Sequence, residues 1–295
     1  MYNHEDGEGP LLPLRALGAV AILCAAVLVA LAALGPLGTE MIQYRSSQSG
    51  IWQIEGNDLA NLVLMVPLLL AGGILALMGR DGAKYLLILT PVTLMYYGLS
   101  VGIGQEWSDP AIAGNVEDFF LLHLALIVGG LLLLVGSMSM FSPRDAPAFK
   151  PRGLRLFVGL TALFLVLFTF MWFSQVMEVQ SVGDLADGSY SAAPTSFWAI
   201  RFLDLGISVP VGFLSLYLLM VQPKRAYHLV LLFFGFFVTT ATAVNSMALL
   251  QLVHGDPAAQ ALGPGLAVFA VLGVLAYALL YFVVKDKVQG WRAAA

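Results

Sequence analysis

Residues 197–210 read FWAIRFLDLGISVP. Arg201 and Asp204 stand three apart in a segment whose other side chains suit hydrocarbon, and that spacing puts both on one helix face. Charges at such depth are costly unless they face the bundle interior and a partner. Whether this segment crosses a membrane decides the fold, and the rest of the chain answers. Of 295 residues, 59% are hydrophobic and only 11% charged, with a mean hydropathy of +0.87. Soluble domains carry about a quarter charged residues. Apolar runs of about 20 residues, the length that spans a bilayer, fall at 14–36, 58–79, 85–104, 116–140, 154–178, 196–220, 228–251 and 263–284. The connections leave no room for a soluble domain. The sequence therefore predicts an all-α integral membrane protein: a single transmembrane domain over 1–295, with eight helices and short tails at 1–13 and 285–295.

The segment before the first run, MYNHEDGEGPLLPLR, is acidic, and the run is longer than a signal-peptide core, so an uncleaved first helix is expected. The single cysteine, Cys24, excludes an intrachain disulfide. If the runs alternate, twelve of the fourteen Lys and Arg residues share one side, leaving only Arg45 and Arg201 on the other. By the positive-inside rule both termini are cytoplasmic and the protein is a multi-pass cell-membrane protein. Most acids, among them Glu55, Asp58, Glu106, Glu117, Asp118 and Asp204, then gather at the outer side. An acidic mouth concentrates cations. Trp52, Trp107, Trp172 and Trp198 fall at outer helix ends and Trp291 at the inner end, as an aromatic belt does.

LANLVLMVPLLLAGGILALMGRDGAKY, from Leu59 to Tyr85, resembles FLDLGISVPVGFLSLYLLMVQPKRAY, from Phe202 to Tyr227. A shift of 143 residues places Pro67 on Pro210, Asn61 on Asp204 and Asp58 on Arg201. Two parallel four-helix repeats are expected, 11–140 (helices 1–4) and 154–284 (helices 5–8), about an axis along the membrane normal. Pro67 and Pro210 fall mid-helix, where each removes a backbone hydrogen bond and permits a kink.

Other polar residues share the depth of Arg201 and Asp204: His123 in the fourth run, Asn245 in the seventh, and Asn61 and Asp58 at the start of the second. Singly each has a plain account. Asn57 and Asp58 suit helix N-caps, Asn245 and Thr242 can join neighbouring helices, and His123 can be a hydrogen-bonded packing residue. Together they point to a ligand-binding pocket in the outer leaflet, formed by Asp204, Arg201, His123, Asn245, Asn61 and Asp58. The inner half holds no charge away from helix ends, so the polar track stops midway. No phosphate loop, dinucleotide fingerprint, HExxH or nucleophile elbow occurs, and nothing marks a nucleic-acid partner. A bis-histidine haem on His123 and His254, or zinc on His123, Asp204 and Glu117 or Asp118, has suitable ligand types, but no spacing selects either; cofactor and metal stay unassigned.

Beyond the lipid bilayer, three functions remain. The first is permease-like handling of a small cation or polar solute, with Asp204 as countercharge. The second is a non-catalytic scaffold or accessory subunit, with a second copy or a membrane subunit as partner. The third is an outer-leaflet enzyme or redox protein using His123.

Overall fold

The computed structural model describes residues 10–182, 189–263 and 265–293. The first nine residues, the last two, Asp184 and Asp187 lie outside it, as do the side chains of Lys287, Trp291 and Arg292. Among the described residues the chain is helical with no strands, and eight segments are long and apolar enough to cross a membrane. They are Leu14–Leu34, Gln48–Leu77, Ala83–Ile103, Val116–Ser139, Pro151–Val182, Pro194–Val221, Pro223–Val253 and Ala267–Lys285, numbered below as the first to eighth spans. Apolar side chains such as Phe170 and Val274, 74% and 72% exposed, lie on spans of bilayer length, where the hydrocarbon core covers them. This is a multi-pass membrane protein.

The second span corrects the sequence reading. It starts at Gln48, not near residue 58, and its N-cap is Ser47, whose hydroxyl accepts from the Gly50 N–H at 3.2 Å. Thirty residues make a helix about 45 Å long, and a hydrocarbon core takes about 30 Å of that. The first ten residues, too polar to register as a span, extend past the apolar zone and pack along the seventh span. A Gly56 side chain would begin 2.5 Å from the Met247 Cα, so only glycine admits this approach. Asp58 is therefore not an N-cap. It stands well inside the helix and is 1% exposed.

The second and sixth spans each contain one π-helical turn, Asn61–Met65 and Asp204–Ser208. The Val66 and Val209 N–H groups reach back five residues, to Asn61 and Asp204. Pro67 and Pro210 follow at once, where the widened turn relieves the clash of each ring with the carbonyl four residues before it. Two apolar cores form. One gathers Leu17, Leu28, Leu69, Leu94, Leu126 and Leu133; the other gathers Phe157, Leu219, Tyr227, Phe234, Leu279 and Val283. The first span packs on the second and fourth, and the third on the fourth. The seventh packs on the sixth and eighth and crosses to the second, while the sixth reaches the third.

Arg45 and Arg201 apart, the described cations fall at one end of the bundle, by the alternation of the eight spans. There Lys84, buried, bridges Asp81 and Asp145 at 2.8 Å each. Burial alone would raise the Asp145 carboxyl, but hydrogen bonds from Lys84 and the Ser142 backbone hold it below its ordinary value. The opposite end is the acidic one.

Candidate functional site

Counting back about twenty residues from the basic turns at Arg80 and Lys224, roughly 30 Å of helix, reaches Asn61–Asp58 and Asp204. Both acids thus stand at the acidic rim of the apolar zone. They belong to separate clusters.

Asp204 lies among donors. The Trp172 indole N–H donates to Oδ2 at 2.8 Å, and the Ser208 hydroxyl and Tyr96 face the same carboxylate. Arg201, 5% exposed, does not snorkel outward. Its guanidinium lies over the rings of Trp172 and Phe197, 4.2 and 3.8 Å from their centroids, and donates to the Gln175 side-chain oxygen. Cation–π contacts, an amide and a nearby countercharge surround the guanidinium within the bundle.

Asp58 has no such company. The Tyr97 hydroxyl donates to Oδ1 at 2.5 Å, whereas Oδ2 is buried with no hydrogen-bond partner. Tyr44, from the connection between the first two spans, is 3% exposed, and its hydroxyl faces that of Tyr97 without good hydrogen-bond geometry. Its ring lies edge-on to the His123 ring, with centroids 6.2 Å apart. Burial, then the Asp58 charge, raises the Tyr44 phenol above its ordinary value, so it stays protonated. His123 Nδ1 is 3.3 Å from the Phe119 carbonyl, which only accepts, so Nδ1 carries the hydrogen. Nε2 keeps its lone pair, buried and without a partner. Asn61, one turn after Asp58, likewise has a buried amide nitrogen with no partner. Gly35 packs against both: a side chain there would begin 3.2 Å from Asp58 Oδ2 and 3.6 Å from the Tyr44 ring.

The connection bearing Tyr44 is tied down. Gln43 and Asn115 exchange hydrogen bonds, at 2.8 Å to the Asn115 side chain and 2.9 Å from its N–H. The Arg45 N–H donates to the Gln105 side chain at 2.6 Å, and its carbonyl accepts from the Glu106 N–H at 2.7 Å. The Arg45 guanidinium pairs with Glu117 at 2.5 Å, which raises its already high proton affinity. Glu106, itself buried, accepts from the Thr195 N–H at 3.0 Å and hydroxyl at 2.9 Å, joining this roof to the start of the sixth span.

The sequence-derived set is thus divided. Asp58, Asn61 and His123 fall in the half containing Tyr44, and Arg201 and Asp204 in the other. Asn245 turns to the eighth span, donating to the Phe269 carbonyl at 2.9 Å and to Ala241 at 2.7 Å. His254 is at the rim, 2.7 Å from Glu55 and stacked on Trp52 at 5.3 Å, so it does not pair with His123 around a haem. Among the described residues no three His, Cys, Asp or Glu side chains gather as metal ligands. Sequence reasoning missed Tyr44, whose signal was a lone aromatic in the short polar connection EMIQYRSS. It also gave Trp172 only to the interfacial belt. No family model, curated protein or solved structure matches the chain, so the site is read from its own geometry.

Proposed function

We propose that this is a permease-like membrane protein whose polar cluster around Asp58, at the acidic end, receives a small cation, with Asp58, not Asp204, as the countercharge. One observation carries the reading: a buried carboxylate oxygen without a partner, beside other buried polar atoms that also lack one. Buried polar groups in folded proteins are nearly always satisfied, and an uncompensated carboxylate in an apolar setting is costly. A site that keeps both is completed by something that binds there. Asp204, by contrast, already accepts from Trp172 and Ser208 with the Arg201 guanidinium near it, and we read that pair as holding helices together.

The same reading takes the acidic end as the outer face, as the cation distribution supports. It also takes the halves as parallel repeats. The two π turns start 143 residues apart, the offset that aligns Pro67 with Pro210. The packing of the second span on the seventh has its counterpart in the sixth on the third. In such a pair one half retains an open countercharge while the other carries its own guanidinium.

Thermal unfolding of the purified protein against monovalent cations and small cationic solutes tests the proposal. At least one should raise the melting temperature saturably, as a ligand specific for the folded state does, and leave Asp58→Asn unmoved. A panel that moves neither protein, or both equally, would overturn it.

A further inference from the structure

We infer that the Asp58 cluster takes a cation that donates hydrogen bonds, the ammonium group of a small amine or ammonium itself. This deepens the cation reading above and rests on it. The argument starts from what the unpartnered atoms can do. As a carboxylate, Asp58 accepts at Oδ2. His123 Nε2, with its hydrogen committed to Nδ1, also only accepts. The Tyr44 oxygen can accept through its lone pairs. Three acceptors on three different parts of the chain, each more than nine-tenths buried, call for a ligand with several donors.

Alkali and alkaline-earth ions favour shells of carboxylate, carbonyl and water oxygens. An imidazole nitrogen is a poor member of such a shell. Metals that favour imidazole would need further nitrogen, sulfur or carboxylate ligands, which the described residues do not gather. An ammonium nitrogen has three or more N–H donors and a full charge for Asp58. It also gains from the rings of Tyr44 and Tyr97 beside Asp58. A quaternary ammonium would use the rings but waste every acceptor. The other half of the bundle shows the same solution built in: a nitrogen cation, Arg201, lies between the Trp172 and Phe197 rings near a carboxylate.

The test is a titration of the protein in nanodiscs with methylammonium, potassium and tetramethylammonium chlorides at constant ionic strength, read by melting temperature and calorimetry. Methylammonium should bind at least about tenfold more tightly than potassium, a gap worth about 1.4 kcal/mol, and tetramethylammonium should not compete. Tyr44→Phe and His123→Phe should each weaken methylammonium about tenfold, as loss of a hydrogen bond to a charged group does. Tyr44→Phe should lower the ligand-free melting temperature little, because the atom removed faces only the Tyr97 hydroxyl. Equal binding of potassium, or competition by tetramethylammonium, would overturn the ammonium inference while leaving the cation site standing. A cluster that no cation occupies in an Asp58-dependent way, holding water alone, would overturn both.

Discussion

Tyr97 donates its hydroxyl to Oδ1 of Asp58 at 2.5 Å, while its neighbour Tyr96 faces Asp204. Adjacent residues on the third span thus serve the two polar clusters separately. Tyr97→Phe should strip Asp58 of its one donor, cost about 1.5–3 kcal/mol in denaturant unfolding, and change the cation response. Tyr96→Phe should leave that response intact. Equal responses from the two variants would mean that the clusters work as one.

The two carboxylates should answer neutralisation in opposite ways. Asp58→Asn removes a buried charge with no cation beside it and should leave the ligand-free melting temperature unchanged or higher. Asp204→Asn takes a countercharge from buried Arg201 and should cost about 3–5 kcal/mol, the range for breaking a buried pair. Both are read by unfolding in the same detergent without added cation, where a large loss from Asp58→Asn would assign it a structural role.

Asn245→Ala tests the same division on the seventh span. Its bond to the Phe269 carbonyl joins the seventh and eighth spans, and interhelical bonds in membranes are worth about 0.6 kcal/mol on average. A small loss of stability with unchanged cation binding is expected.

Gly56→Ala places a methyl group against the Met247 backbone, which cannot swing aside. Overpacking of this kind costs about 1–3 kcal/mol. The second span would move away from the seventh, and Asp58 with it, so both melting temperature and cation affinity should fall.

At the basic end, stability should depend on acid pH through Asp145. Its carboxyl is held below the ordinary value in the folded protein, so its contribution is fully present above the unfolded carboxylate pKa of about 3.9. The contribution disappears as pH falls through the lower folded value. Asp145→Asn should cost about 1.5–3 kcal/mol at neutral pH, as for hydrogen bonds to charged groups, and flatten the acid limb of a pH–stability curve. An unaltered acid limb would remove this ion pair from the explanation.

The spans were legible because hydropathy over about 20 residues is a long-range average that local polarity barely disturbs. Boundaries were less so. IEGND before Leu59 reads as the polar boundary where an apolar run begins, yet the helix extends further outward, where the seventh span offers it a packing surface. That error made Asp58 a cap. Co-depth along separate helices was readable, but rotation about each axis was not. Depth alone could not tell Asn245, turned to the eighth span, from His123, turned toward Tyr44. The π turns left only the prolines as a trace, and a connection residue such as Tyr44 has no periodicity to reveal where its ring goes.

The most direct measurement is an experimental density map of the protein purified with methylammonium, beside one of Asp58→Asn prepared alike. A wild-type peak within hydrogen-bond reach of Asp58 Oδ2, His123 Nε2 and the Tyr44 hydroxyl, absent from Asp58→Asn, is the expected result. A cluster with no peak, an identical peak in both maps, or ligand density beside Asp204 instead would contradict it.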